Sequence, residues 1–302
     1  MAAQSNMNNR LFQLQNFTPT LQLLFFFCFF FVCNLVHSGI VQVLGLTGAN
    51  GSSLQVLGRM SLNQVFGFLL PAVIFVLLLP QRIKTFFHFR KIERPSDLLG
   101  LLVLATGTLL LVLGLAHLIN ALPLGKLADE LQEQRQNLES SALQMNTGPE
   151  VLLRLLVMAA LPALCEELFF RGILQRMFNS FFKKPVLAII ATALVFALFH
   201  ASWYNYLPIT IAGSILGLIY YYTGNIWYNI ILHFLINAAQ ILMVFFQTDP
   251  ADESAFPLTF AAGFVVSGII IAFAAIRQIR KGKQSLGHDW SMPYRSPDQN
   301  YQ

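Results

Sequence analysis

Long apolar runs separated by short polar segments dominate the chain. A helix needs about 20 predominantly apolar residues to cross the hydrocarbon core of a bilayer. Runs of that order lie at roughly 21–43, 62–80, 98–122, 151–176, 186–203, 207–223, 226–246 and 257–277. The pattern predicts about eight spans and an all-α polytopic membrane protein. The first run is long, Phe-rich and without a clear small-residue cleavage site, so it reads as a span and not as a signal peptide. One sizeable polar insertion, 123–150, interrupts the series. From Lys126 to Gln144 it carries Leu127, Leu131, Leu138 and Leu143 among Gln and Glu. That spacing predicts an amphipathic helix lying on the outer surface. Gly148-Pro149 then breaks the chain before the fourth span.

Composition sharpens this picture. Of 302 residues, 56% are hydrophobic and only 11% charged, where a soluble domain averages about 25% charged. No Asp, Glu, Lys or Arg occurs between Lys184 and Asp249, which excludes a water-facing surface there. The net charge of +5 is loop charge rather than a nucleic-acid footprint, because the cations sit between apolar runs. With Arg10 in the cytoplasm, the same side receives Arg82, Lys84, Arg90, Lys91 and Arg94, then Arg171, Arg176, Lys183 and Lys184, then Arg277, Arg280, Lys281, Lys283 and Arg295. The other side keeps Arg59, Lys126, Arg135 and Arg154, with the acidic Asp249, Asp252 and Glu253. The positive-inside rule therefore predicts both termini cytoplasmic; the expected location is multi-pass in the cell (inner) membrane. Cys28, Cys33 and Cys165 all lie in apolar runs, and no disulfide framework is expected.

Ionisable residues inside a span carry functional hypotheses. The fourth span contains Cys165-Glu166-Glu167-Leu168-Phe169-Phe170-Arg171-Gly172. Glu167 and Arg171 are four apart on one helix face and predict a structural ion pair. Glu166 points about 100° away and has no local partner. The fifth span ends in Phe196-Ala197-Leu198-Phe199-His200, and the seventh holds His233 and Asn237, again four apart. At about 1.5 Å per residue from the cytoplasmic ends, Glu166 lies about 15 Å deep, His200 about 21 Å, His233 about 10 Å and Asn237 about 16 Å. Four polar residues from three spans thus share one slab of the bilayer. A buried carboxylate can take a proton from water. A histidine can orient that water. A second His with an Asn can hold an oxyanion. Glu166, His200 and His233 could instead bind a divalent metal such as zinc with an open position.

In order along the chain, Glu166-Glu167…Arg171, Phe196…His200 and His233…Asn237 resemble the three motifs of the CPBP family, also called ABI or CAAX-protease-like, of intramembrane glutamate-dependent endopeptidases. The resemblance covers about 151–240, with "EELFFRGIL", "FALFH" and "TGNIWYNIILHFLIN" as local context. It implies an eight-helix protease with its catalytic core in helices four to seven. It further implies that Glu166 and His200 activate water while His233 and Asn237 form the oxyanion site. The scheme that requires no cofactor is preferred over zinc because it gives Asn237 a role, and the metal alternative stays open. Three regions follow: a membrane region with the outer amphipathic segment at 1–150, the core at 151–246, and the last span with a basic tail at 247–302. The partners implied are membrane lipid and a membrane-associated peptide substrate, resembling that of a CAAX prenyl protease, and no nucleic acid.

Blander readings stand beside these. His200 can be a core histidine bonded to a carbonyl, and His233 with Asn237 can be interhelical glue. Cys165 reads as a small packing residue rather than a nucleophile. Tyr220, Tyr221, Tyr222, Trp227 and Tyr228 read as an interfacial aromatic belt. At the level of the whole protein, the rivals are a proteolytically silent scaffold that binds a partner peptide and a proton-coupled transporter.

Overall fold

The computed structural model describes residues 14–46, 52–92, 94–246 and 257–281. Arg10, Asp249, Asp252, Glu253, Lys283 and Arg295, on which part of the charge argument rests, lie outside the described residues. Every long element among the described residues is a helix. The first, α1 (Pro19–Val43), opens with Pro at its first position and the Thr18 hydroxyl accepting from the Leu21 amide. The second, α2 (Ser53–Leu77), opens with a Ser52/Gln55 capping box that satisfies two otherwise orphaned amides. Then come α3 (Pro95–Asn120), α4 (Lys126–Ala142) and a long rod, α5, over 148–182. The series closes with α6 (Pro185–Leu198), α7 (Tyr206–Thr223), α8 (Ile226–Phe246) and α9 (Leu258–Arg280). Five of these, α1, α2, α3, α8 and α9, are each long and apolar enough to cross a membrane.

The predicted runs and the helices coincide except where side chains other than the apolar ones decide. The α5 rod is longer than the apolar run at 151–176, because its polar ends are capped. Thr147 and Glu150 form a capping box at its start, and Lys183 ends it in the left-handed region. α6 is shorter than the run at 186–203. Its 14 residues rise only about 21 Å, and the chain continues through a turn at 199–205. Widened π segments occupy Gln64–Leu69 in α2 and Leu155–Ala160 in α5. Each runs up to a proline, Pro71 and Pro162, whose ring and missing N–H cannot join a regular ladder. A third π segment, Phe170–Leu174, spans Arg171.

Two packing devices bring the helices together. Phe26, Phe30, Phe68, Phe169 and Phe170 interlock α1, α2 and α5, with Phe26 and Phe169 ring centroids 4.7 Å apart and Phe68 and Phe169 5.3 Å apart, edge to face. α3 and α9 meet backbone to backbone through small residues. A Cβ on Gly268 would sit 2.6 Å from the Leu111 amide nitrogen, and one on Gly107 2.8 Å from that of Ala272.

Three expectations from the charge and aromatic pattern need correction. Arg171 and Arg176 are not loop charges: both are buried inside the bundle. Arg176 donates to the Phe86 carbonyl at 2.8 Å and lies over the Phe86 ring. Arg154 is likewise buried, donating to the carbonyls of Ala142, Gln144 and Glu150 and to the Ser53 hydroxyl. Tyr220 and Tyr228 leave the proposed belt for the interior, the Tyr228 hydroxyl donating to Asp97. Leu127 of α4 is 68% exposed, as on a helix whose leucines face lipid, and the polar side of α4 docks on the 199–205 turn.

His88 gives the fold a pH dependence. It adopts φ +54°, in the left-handed region that His and Asn tolerate better than most residues. Its ring stacks on Tyr220. Burial, then the charges of Arg176 and Arg90, push its pKa down to about 4. Between its ordinary value near 6.5 and about 4, the unfolded chain binds a proton that the folded protein refuses. Stability from this group is therefore complete above pH 6.5 and falls as the pH drops toward 4. His88→Asn keeps the backbone preference and removes the titration, so its melting temperature should fall less than the wild type's between pH 7 and pH 4. Parallel curves for the two proteins would rule out His88 as a source of that dependence.

Candidate active site

Four helices converge on the guanidinium of Arg171. Glu167 lies four residues before it on α5, and its Oε1 accepts from Arg171 Nη1 at 2.8 Å with both side chains fully buried. Arg171 Nη2 donates to the Gly213 carbonyl of α7 at 3.0 Å. The guanidinium carbon stands 4.7 Å from the centroid of the Phe196 ring of α6. Glu167 Oε1 also accepts from His233 Nδ1 of α8 at 2.8 Å. A carboxylate only accepts, so Nδ1 carries a proton directed at Glu167, and Nε2 is the ring nitrogen left facing Glu166.

Adjacent residues on a helix point about 100° apart, and Glu166 meets different neighbours. It is buried, and its Oε1 accepts from Gln64 Nε2 at 2.8 Å. Gln64 opens the π segment of α2. Glu166 Oε2 is also buried and accepts no hydrogen bond from a described residue. It faces His233 Nε2 at 3.9 Å, beyond hydrogen-bond range. His233 thus stands between the two carboxylates, bonded to Glu167 and turned toward Glu166.

His200 sits in the turn after α6. Its Nδ1 donates to the Phe196 carbonyl at 2.9 Å, so Nε2 is the lone-pair nitrogen of the neutral ring. Its ring lies 4.7 Å from that of Phe196, which also meets the His233 ring edge to face at 5.9 Å. The His200 carbonyl accepts from Arg135 Nη1 of α4 at 2.8 Å. Asn237 lies one turn beyond His233 on α8, half-buried, with no hydrogen bond to another described residue. Cys165 is fully buried and packs. Cys33 is buried and Cys28 exposed on α1.

Glu166, Glu167, Arg171 and His233 are therefore brought together, His200 is linked to them through the Phe196 ring, and Asn237 is placed by its position one turn beyond His233; two details differ from expectation. Glu166 does have a protein partner, Gln64, from a distant part of the sequence. His233 directs Nδ1 to Glu167, which leaves only Nε2 for a reacting group. Gln64 and Arg135 were not anticipated. A polar side chain within the second apolar run was the available signal for Gln64; nothing in the sequence marks Arg135. Among the described residues no group of three or more His, Cys, Asp or Glu side chains is arranged to hold a metal ion.

An all-helical multi-pass membrane protein with a carboxylate–histidine centre inside its bundle is the class that this fold and site define. Residues 148–239 match the family model described as type II CAAX prenyl endopeptidase Rce1-like. The family is one of membrane proteases. A curated relative, "Uncharacterized protein YpbD" of Bacillus subtilis (strain 168), is 29% identical over 106 residues. That alignment covers 33% of this chain and 51% of the relative, so the chain spans about half the length of the curated protein it matches. No solved structure matches.

Glu167→Gln should destabilise the protein. It leaves a fully buried guanidinium without its counter-charge, a change that typically costs about 3–5 kcal/mol. A clear drop in melting temperature of the purified variant in detergent is the expected result. Wild-type melting would mean that Arg171 is satisfied without Glu167.

Proposed function

We propose that the protein is an intramembrane endopeptidase that hydrolyses a peptide bond of a membrane-associated substrate. The observation that carries this reading is Glu166 Oε2, a buried carboxylate oxygen without a protein donor, turned toward a histidine. Gln64 fixes the other oxygen, so the free one has a defined direction. In the proposed reaction Oε2 takes a proton from water while the water oxygen bonds to the carbonyl carbon. His200 Nε2 orients that water. Negative charge develops on the former carbonyl oxygen, where the Asn237 amide and His233 stabilise it, His233 in the imidazolium form that donates from Nε2 while Nδ1 stays bonded to Glu167. The C–N bond then breaks, and Glu166 returns its proton to the departing amine. No step uses a metal. The family description supports a CAAX-like, membrane-anchored peptide as the substrate class.

In this reading the 81–96 segment and both termini lie in the cytoplasm, and α4 on the opposite side. Arg82, Lys84, Arg90, Lys91 and Arg94 carry that assignment. Arg171 and Arg176 no longer contribute to it, being neutralised or sequestered within the bundle.

Glu166→Gln should abolish hydrolysis of a membrane-anchored reporter peptide and melt near the wild type, since it changes little volume. Wild-type turnover in that variant would end the water-activation role. If wild type and variant are both inactive yet bind the peptide alike, the chain is a scaffold and not a protease. Asn237→Ala should lower kcat about 100- to 1,000-fold, as losing one oxyanion donor does, with a smaller effect on KM. A change confined to KM would make Asn237 a substrate contact.

Single cysteines placed in 81–92 and in Lys126–Ala142 should label from opposite sides of the membrane. Labelling of both from one side would mean that α3 does not cross.

A further inference from the structure

A second site lies at the other end of the bundle from the 199–205 turn. A cleft of about 720 Å³ opens between the segment after α2 and the start of α8. Lys84, Arg90 and Lys91 line it with Trp227, and Leu164 of α5 and Ile231 of α8 also line it. Phe89 packs on Trp227 with ring centroids 5.3 Å apart.

The cleft is built rather than incidental. Asn225 clamps the Arg90 main chain from both directions: its Nδ2 donates to the Arg90 carbonyl at 2.9 Å, and its Oδ1 accepts from the Arg90 amide at 3.4 Å. The same Oδ1 accepts from the Trp227 amide. One side chain therefore fixes both walls while leaving the Arg90 side chain exposed. None of Lys84, Arg90 and Lys91 forms an ion pair with a described carboxylate. Among the described residues, three cations thus converge without a counter-charge.

Below them the lining turns apolar. Ile231 lies one turn beyond Trp227, about 6 Å deeper, and belongs to a helix apolar enough to span the membrane. A ligand that fills this space has an anionic head at the cations and an apolar chain along Leu164 and Ile231. We infer that the cleft binds an anionic phospholipid, its phosphate held by Lys84, Arg90 and Lys91 and an acyl chain lying on Leu164 and Ile231. Basic pockets between membrane helices favour such head groups, and Trp suits the interfacial depth between them. A free anion uses the cations alone and leaves the apolar half of the cleft unmatched. The inference stands whether or not the protein is a protease, although Leu164 and Ile231 share their helices with Glu166 and His233.

The test uses the full chain reconstituted in vesicles, with Trp227 fluorescence as the reporter and Trp227→Phe to subtract the other tryptophans. Phosphatidylglycerol brominated on its tails should quench Trp227 at a lower mole fraction than brominated phosphatidylcholine. In Arg90→Gln/Lys91→Gln, which leaves the Asn225 clamp to the main chain intact, that preference should shrink by roughly 25-fold, about 5-fold per cation. Lys84→Gln alone should give about 5-fold, which keeps the test decisive should the double variant fold poorly. Equal quenching by the two lipids, or a preference that survives all the substitutions, overturns the proposal. Loss of the preference on adding inorganic phosphate would assign the cations to a free anion. A signal that ignores lipid charge and is displaced by an apolar peptide with a free C-terminal carboxylate would assign the cleft to a peptide. Either result also overturns the lipid.

Discussion

The arrangement of the bundle depends on satisfying one buried guanidinium. Arg171 is completely enclosed, and withdrawing a charge from water costs several kcal/mol unless partners replace the lost hydration. Its partners come from four places: Glu167 on its own helix, the Gly213 carbonyl on α7, the Phe196 ring on α6 and, through Glu167, His233 on α8. Moving any one helix by an ångström or two would strand a charge or a buried donor. The same group that is expensive to bury therefore restricts the bundle to one arrangement. Gly213 contributes by lacking a side chain, since a Cβ there would press on Phe196 and Ala193 at 3.2 to 3.3 Å.

This restriction separates two adjacent carboxylates into different environments. Glu167 Oε1 accepts from both Arg171 and His233, so its negative charge is engaged in holding the bundle. Both carboxylates leave Oε2 buried without a protein donor, but Glu166, turned away by the helix, has only a neutral amide donor on Oε1 and faces His233 with its Oε2. A pair of carboxylates placed in contrasting surroundings is the arrangement by which one fold assigns a structural task and a chemical task to the same residue type. His233 links them, because its Nδ1 serves the first and its Nε2 faces the second.

Local periodicity made the helices legible and could not reveal what joins them. Apolar runs located the long helices because a span must bury its backbone polar groups in a single helix. The Glu167–Arg171 pair was legible for a similar reason: a four-residue separation on one helix is fixed by helix geometry alone. Gln64 was not, since its bond to Glu166 spans 102 positions and depends on how α2 leans on α5. Arg171 and Arg176 misled the charge count because sequence shows a cation but not whether a carboxylate, a carbonyl or water surrounds it. In α4 the leucine stripe was legible, whereas the contacts that Asp129, Gln132 and Arg135, spaced three apart, make with the 199–205 turn span some 65 to 75 positions and were not.

That seating explains how a histidine outside any helix is held in place. α6 stops at Leu198, and His200 follows in a turn whose next residue, Ala201, has φ +48°. Such a turn has no ladder of i→i−4 bonds to stiffen it. α4 supplies the missing constraints from outside: Arg135 donates to the His200 carbonyl, Gln132 accepts from the Ser202 hydroxyl, and Asp129 accepts from the Tyr204 hydroxyl. Residues three apart fall on one helix face, whereas 200, 202 and 204 alternate along the turn, so a single rigid helix can pin the whole segment at once. α4 is itself held at its far end, where Arg154 gathers the Ala142 and Gln144 carbonyls. The polar insertion between the third and fourth spans is thus the external splint of the His200 turn.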